Sequence, residues 1–179
     1  MNRSSVQEAA VQEAIAHGPI TDAYLADAHQ VIRELNRLRA TEITSFLQYK
    51  QHAYMAVSMY SPGLKADFEE HAVAELRHAD LLAERIQQLG GVPIFNPQEI
   101  AAKAAEAGVQ PEQGATLAEM VIEDLLLERQ QVEAYTTLSR TIGDKDPTTY
   151  RLLTMILDET EQHASELASY LKRTTERRE

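Results

Sequence analysis

Residues 64–89, LKADFEEHAVAELRHADLLAERIQQL, form a segment that contains neither glycine nor proline. Its apolar residues Phe68 and Leu82 recur at helical intervals, and Glu75 and His78 share the same face. The segment is several times longer than an average strand of about five or six residues. It therefore predicts a long amphipathic helix whose inward face carries two side chains of the metal-ligand type.

The rest of the chain is divided in the same way by its glycines and prolines. The 7 glycines and 6 prolines fall into clusters, and the segments between the clusters are rich in Ala, Leu, Glu, Gln and Arg, which favour helices. These segments are 20–61, 64–89, 98–107, 115–142 and 148–179. The pattern predicts an all-α chain with four long helices and a short helix at about 97–107, in the long connection between the second and third long helices.

The lengths of the connections predict the topology. A short, a long and a short connection give an antiparallel four-helix bundle with one long crossover. We assign the bundle domain to residues 20–179 and an N-terminal extension to residues 1–19, in which residues 4–17 form one or two helical turns. The first long helix is expected from Thr21 or Asp27 to Met59, the second from a cap at Ser61 to Gly90-Gly91, and the others at 115–142 and 147–174.

Composition excludes several classes of protein. The chain has no cysteine, which excludes disulfides, thiolate metal sites and iron–sulfur clusters. A net charge of −11 makes nucleic acid an unexpected partner, and no apolar stretch is long enough for a membrane span. Since the first residues also lack the pattern of a signal peptide, we expect a cytoplasmic protein.

Ligand-type residues lie at the middle of all four long helices. Glu42, Glu75 and Glu128 each lie near the centre of an apolar stripe, where a carboxylate is costly unless it is paired or bound to metal. His78 follows Glu75 by one turn, and His163 lies on the inward side of the fourth helix. Carboxylates with a few imidazoles suit Fe or Mn. The pattern predicts a metal site between the four helices, with a metal-free buried polar network as the alternative.

Four residues near the candidate ligands have other interpretations. Tyr49 is expected to donate an electron or to hydrogen-bond a ligand, or else to be an ordinary buried tyrosine. Asp124 is either a hydrogen-bond partner of a ligand or an ordinary surface acid. His71 is interpreted as a surface histidine in preference to an auxiliary ligand, and His52 as a residue without a functional role.

Four segments resemble bacterioferritin and the wider ferritin-like superfamily: residues 35–49 (LNRLRATEITSFLQY), 74–80 (AELRHAD), 120–128 (MVIEDLLLE) and 156–163 (ILDETEQH). The resemblance implies a ferritin-like four-helix bundle with a bacterioferritin-type di-iron site inside each subunit. In that site the terminal carboxylates would be Glu42 and Glu128, the bridging carboxylate Glu75, and the terminal imidazoles His78 and His163.

The chain departs from the family pattern at two positions of the site. The family has a second bridging glutamate where this chain has Thr160, so the site is expected to hold one or two ions of Fe, with Mn possible. A bent Glu159 is included among the candidate ligands because it is adjacent. Leu76 occupies the position of the haem-binding methionine, so no haem is expected. The short crossover helix resembles the Dps branch, which implies a homo-oligomeric, dodecameric cage.

The resemblance implies a ferroxidase that oxidises Fe(II) with peroxide or dioxygen and stores or detoxifies the iron. The residues expected to act in catalysis are Glu42, Glu75, His78, Glu128, His163 and Tyr49. Two alternatives remain open at this point. One is a discrete Fe or Mn peroxidase or catalase of the rubrerythrin-like type, and the other is a non-catalytic bundle with a degenerate site.

Overall fold

The computed structural model of the chain describes residues 3–56 and 62–176. Within these ranges the chain is helical and contains no strand, which confirms the prediction of an all-α fold. None of the described helices combines the length and the apolar character needed to cross a membrane. The α-helices are α1 (Arg3–His17), α2 (Ala28–Met55), α3 (Pro62–Gln88), α4 (Pro97–Glu106), α5 (Leu117–Ile142) and α6 (Pro147–Glu176).

Helices α2, α3, α5 and α6 form the predicted four-helix bundle. α2 packs against α3, α5 packs against α6, and the crossover helix α4 lies against α2. The core contacts join the start of α2 to the ends of α3 and α5, as expected for antiparallel neighbours. The expected continuation of the first long helix to Met59 is wrong, because α2 ends at Met55 and Ala56 has a non-helical backbone. Met59 itself and the expected cap at Ser61 lie outside the described residues.

Local capping explains where several helices begin and end. The Asp27 side chain accepts a hydrogen bond from the backbone N–H of Gln30 at the start of α2. Thr116 and Glu119 form a reciprocal capping box, so α5 begins at Leu117 and not at residue 115. At the end of α3, Gly90 has φ of 80°, a left-handed conformation that favours glycine.

The N-terminal helix α1 is longer than predicted. It spans 15 residues, where one or two turns were expected. Its glutamines, glutamates and alanines favour a helix, and no glycine or proline interrupts them before Gly18. The side chains of residues 6–17 are exposed, so this helix stands apart from the bundle core.

The apolar core of the bundle is divided into two clusters along its axis. One cluster, at the end where α2 begins, includes Leu35, Leu82 and Leu153. The other, at the opposite end, includes Phe68 and Leu167. The residues between these clusters on the inward stripes are the predicted glutamates and histidines. The core is therefore interrupted halfway along the bundle by a polar layer.

A buried ion pair joins α3 to the start of α6. Arg85 donates from Nη2 to both carboxylate oxygens of Asp146, at 2.9 and 3.0 Å, and from Nε to the Thr149 hydroxyl at 2.8 Å. Asp146 also accepts from the Thr149 backbone N–H at 2.9 Å, which caps α6. Burial alone would raise the pKa of Asp146, but the hydrogen bonds from Thr149 and Arg85 outweigh it and lower that pKa.

Replacing Asp146 by asparagine should lower the free energy of unfolding by about 3 kcal/mol or more, because Arg85 would stay buried without its counter-ion. Asparagine still caps a helix, so the substitution tests the charge and not the cap. Because the pKa of Asp146 is lowered in the folded state, its contribution should vanish as the pH falls through that pKa. Urea unfolding at fixed protein concentration measures the loss.

The control is Glu106→Gln in the exposed Lys103–Glu106 pair, where the Glu106 side chain is 59% exposed. An exposed pair contributes little, so this change should stay within about 0.5 kcal/mol. Equal small losses for the two variants would contradict a structural role for the Arg85–Asp146 pair.

Candidate metal centre

The structure brings the five predicted ligand residues together in the polar layer between the two apolar clusters. Each lies on the inward face of its helix, because the apolar stripe on either side of it faces the core. The three glutamates and His78 have no exposed surface, and His163 is 8% exposed. The residues are Glu42 on α2, Glu75 and His78 on α3, Glu128 on α5 and His163 on α6.

One group of potential ligands, here called half-site A, consists of Glu42, Glu75 and His78. One ligand-type atom from each lies within 4.8 Å of the others. His78 Nδ1 is 3.2 Å from Glu42 Oε2 and 3.7 Å from Glu75 Oε1. The three side chains therefore converge on one small volume from two helices.

Glu159 lies behind half-site A and not within it. Its Oε2 is 3.1 Å from His78 Nε2, the ring nitrogen that points away from Glu42. It also accepts a hydrogen bond from Arg77, and its side chain is one-third exposed. The expected bending of Glu159 into the centre is absent, so this residue instead holds the His78 ring in position.

A second group, here called half-site B, consists of His71, Glu128 and His163, whose ligand-type atoms again lie within 4.8 Å of one another. His163 Nδ1 is 3.3 Å from Glu128 Oε1 and 3.6 Å from Glu75 Oε1. Glu75 Oε1 thus faces the histidines of both half-sites. It lies where a carboxylate could bridge two cations.

The interpretation of His71 as a surface histidine is wrong. His71 is 3% exposed, and its ring stacks on that of His163 with centroids 4.1 Å apart. The spacing could have indicated this, because His71 precedes Glu75 by four residues and therefore shares its face of α3. The inward stripe of α3 carries His71, Glu75 and His78 in succession.

Thr160 is buried, as the helical spacing predicts, and brings no carboxylate to the centre. It is 1% exposed, and its hydroxyl donates to the backbone carbonyl of Ile156 at 3.0 Å. This hydrogen bond within α6 occupies the hydroxyl proton. Helix α6 therefore contributes His163 and no inward carboxylate at this level.

Two tyrosines hold the outer carboxylates in related ways. Tyr49 Oη donates to Glu128 Oε1 at 2.6 Å, and Tyr135 Oη donates to Glu42 Oε1 at 2.6 Å. Only Tyr49 was predicted at the centre, although Tyr135 follows Glu128 by seven residues just as Tyr49 follows Glu42. Seven residues are about two helical turns, so Tyr49 shares a helix face with Glu42, and Tyr135 shares one with Glu128. Each tyrosine nevertheless bonds to the glutamate of the other helix.

Several buried polar atoms of the centre have no hydrogen-bond partner among the described residues. Gln131 donates from Nε2 to one oxygen of Glu42 and one oxygen of Glu75, at 3.0 Å each. Other buried donor and acceptor atoms of the centre remain without a hydrogen bond to any described residue. Buried unpaired polar atoms are uncommon and costly, and these are the donor types that Fe and Mn bind. The unpaired atoms are Glu75 Oε1, Glu128 Oε2, Gln131 Oε1, His71 Nδ1 and His163 Nδ1. The donor set therefore fits a pair of divalent cations.

Burial changes the protonation of the carboxylates. Burial, together with the charge of a neighbouring glutamate, outweighs the hydrogen bonds that favour the charged form and raises the pKa of Glu42, Glu75 and Glu128 to about 7 each. Burial lowers the pKa of His163, but the adjacent carboxylates of Glu128 and Glu75 outweigh it and raise that pKa to about 10. The metal-free centre therefore holds protons that a cation would displace.

A separate buried network links α2, α5 and the crossover. Asp124 Oδ1 accepts from Gln48 Nε2 at 2.9 Å, and Asp124 Oδ2 is 2.9 Å from His52 Nδ1. His52 Nε2 lies 3.2 Å from the carbonyl oxygen of Glu112. Asp124 is therefore not a surface acid, because it is completely buried, and His52 is a buried histidine whose two ring nitrogens both have partners in this network.

Comparison with known proteins places the whole bundle in one family. The ferritin-like domain family, Ferritin, matches residues 32–176. The bacterioferritin of Desulfovibrio desulfuricans is 41% identical over 64 residues, which cover 36% of this chain and 36% of that protein. The DNA protection during starvation protein of Halobacterium salinarum is 29% identical over 151 residues, which cover 83% of this chain and 81% of that protein.

Solved structures give the same result. The bacterioferritin-related protein of Bacteroides fragilis, described as a dodecameric thioferritin, superposes with a TM-score of 0.81 at 26% identity. The superposition covers 86% of this chain and 91% of that one. The similarity extends over all four helices that carry the candidate centre.

We expect divalent metal to stabilise the protein more at pH 8 than at pH 6. The glutamate pKa values are raised from 4.5 to about 7 in the folded state, so their contribution to stability is present below pH 4.5 and lost as the pH rises through 7. His163, raised from 6.5 to about 10, acts in the same direction. A bound cation takes the place of the protons on these groups, so the metal-bound protein does not lose this stability as the pH rises.

Thermal unfolding of chelated and Mn(II)-saturated protein at the two pH values measures this difference. Glu128→Gln should reduce it, whereas Glu161→Gln, which alters an exposed position of α6, should leave it unchanged. A metal-induced shift that is equal at both pH values would contradict the proton displacement.

Proposed function

The chain belongs to the ferritin-like family, and on this premise we propose that it is a ferroxidase that oxidises Fe(II) inside each subunit and stores or detoxifies the iron. The observation that carries the proposal is the pair of buried ligand groups facing the same oxygen of Glu75. In the proposal, Fe(II) is the substrate, and the residues that bind it are Glu42, Glu75, His78, Glu128 and His163.

Two adjacent binding positions suit the electron balance of this reaction. Each Fe(II) gives up one electron. Peroxide accepts two electrons and two protons as its O–O bond breaks, which yields two waters, whereas dioxygen accepts the same electrons and protons to become hydrogen peroxide. A centre that holds two Fe(II) ions side by side can deliver both electrons to one oxidant.

The side chains of the centre would bind and orient the substrate. The carboxylates of Glu42, Glu75 and Glu128 supply negative charge, which stabilises Fe(III) more than Fe(II). Tyr49 and Tyr135 fix the two outer carboxylates through their 2.6 Å hydrogen bonds. The apolar clusters on either side limit the access of water, which strengthens these electrostatic interactions.

Glu159 acts on His78 in this proposal, and it is not counted among the ligands. A histidine that binds metal through one ring nitrogen commonly donates from the other to a carboxylate. The contact between His78 Nε2 and Glu159 has this arrangement and leaves Nδ1 facing Glu42 and Glu75.

We propose that twelve chains assemble into a cage in the cytoplasm. Support for the cage comes from the relative in Bacteroides fragilis, which is described as dodecameric. An apolar groove lies between α2 and α4, and the nearby residues Leu47 and Phe95 are 55% and 70% exposed. Exposed apolar surface of this kind is typical of contacts between subunits.

Glu75→Gln should slow Fe(II) oxidation about tenfold or more, because Glu75 faces both half-sites and the change removes its charge. Stopped-flow absorbance after anaerobic Fe(II) loading and mixing with peroxide or dioxygen measures the rate. Glu161→Gln is the matched control and should oxidise Fe(II) at the rate of the unchanged protein. Oxidation no faster than in buffer would overturn the proposal.

Iron content and native mass, measured on one sample, should show a particle of twelve chains that retains far more iron than two ions per chain. Fe(II) and oxidant are added together, and light scattering and metal analysis follow. A small particle that turns over peroxide without retaining iron would favour a discrete di-metal peroxidase or catalase. A chain that takes up neither Fe(II) nor Mn(II) would indicate a non-catalytic bundle.

A further inference from the structure

His71 has the properties of a metal ligand that the family resemblance did not assign. Its Nδ1 is buried and has no hydrogen-bond partner among the described residues. The ligand-type atoms of His71, Glu128 and His163 lie within 4.8 Å of one another, only slightly more than twice a metal–ligand bond of about 2.1 Å. A small contraction around a cation would bring all three into contact with it.

The orientation of His71 matches that of His78. His71 Nε2 is 3.1 Å from Glu166 Oε2, and His78 Nε2 is 3.1 Å from Glu159 Oε2. The two histidines are seven residues apart on α3, and the two glutamates are seven residues apart on α6. A neutral imidazole that donates through Nε2 presents a lone pair at Nδ1. Both rings thus turn the same nitrogen towards the centre.

Half-site B needs such a donor because α6 does not provide a carboxylate. The inward residue one turn before His163 is Thr160, whose hydroxyl is bonded to its own helix. Without His71, the nearest donors would be one oxygen of Glu128, one nitrogen of His163 and the shared oxygen of Glu75.

We propose that His71 binds a second divalent transition-metal ion through Nδ1 and thereby replaces the carboxylate that α6 lacks at Thr160. This inference rests on the proposed function, because it concerns the same centre. Helix α3 then supplies one imidazole to each half-site, with Glu75 between them. When the shared Glu75 is counted in both, half-site A has two carboxylates and one imidazole, whereas half-site B has two carboxylates and two imidazoles.

The test is the number of Co(II) ions bound per subunit. Co(II) suits a mixed imidazole and carboxylate site, is not oxidised by mild handling, and gives visible absorption bands when bound. Chelated protein is titrated anaerobically at pH 7.5 by calorimetry and absorbance. We expect two tightly bound ions in the unchanged protein and one in His71→Phe, which keeps a ring against His163 but removes both nitrogens.

A second substitution should restore the lost ion. His71→Phe combined with Thr160→Glu places a carboxylate at the buried α6 position, and we expect two ions again. The Thr160→Glu variant alone should still bind two ions per subunit. The matched control is His52→Phe, which alters a completely buried histidine outside both half-sites and should also bind two.

Two ions in His71→Phe, or only one in the unchanged protein, would overturn the role of His71. Two ions in His71→Phe would leave the proposed function intact, provided that Fe(II) oxidation remains fast and dependent on Glu75. Conversely, absence of oxidation would overturn the proposed function whatever the Co(II) count.

A crystallographic measurement on the unchanged protein keeps the test independent of variant folding. Anomalous scattering from Co(II)-loaded crystals should show two ions, the second bonded to Nδ1 of His71. A second ion that is bonded to Glu128 and His163 but not to His71 would overturn the inference.

Discussion

The rest of the structure depends on the burial of three carboxylates halfway along the bundle. Glu42, Glu75 and Glu128 have no exposed surface, and among the described residues no lysine or arginine pairs with them. In the described part of the chain they contact histidines, tyrosines, Gln131 and one another. A metal-free centre therefore keeps protons on these groups, and two cations would neutralise the charge that the protein itself leaves unbalanced.

This constraint accounts for the division of the core. Carboxylates cannot share a layer with leucine and phenylalanine without partners, so the apolar residues form one cluster on each side of the polar layer. Long helices are needed to carry both clusters and the layer between them. The Arg85–Asp146 pair lies near one end of the bundle, where it joins α3 to α6. Arg85 therefore does not neutralise the carboxylates of the centre.

The sequence predicted the features that depend on a single helix. Helical spacing identified the inward glutamates, and the clusters of glycine and proline located α4 and the long crossover. Spacing failed where a residue's role depends on the neighbouring helix. His71 shares the face of Glu75, but its value as a donor depends on His163 and Glu166 of α6. Tyr135 lies on the same stripe as Glu128, yet its hydrogen bond to Glu42 crosses from α5 to α2.

The pairing of α3 with α6 gives a physical reason for the difference between the half-sites. Glu159 and Glu166 hold His78 and His71 from behind, so both rings are fixed before any cation binds. If His71 binds the second cation as proposed, the donor that Thr160 cannot supply comes from α3 and not from α6. Each half-site has two carboxylates when Glu75 is counted in both, so the two half-sites differ by the second imidazole of half-site B.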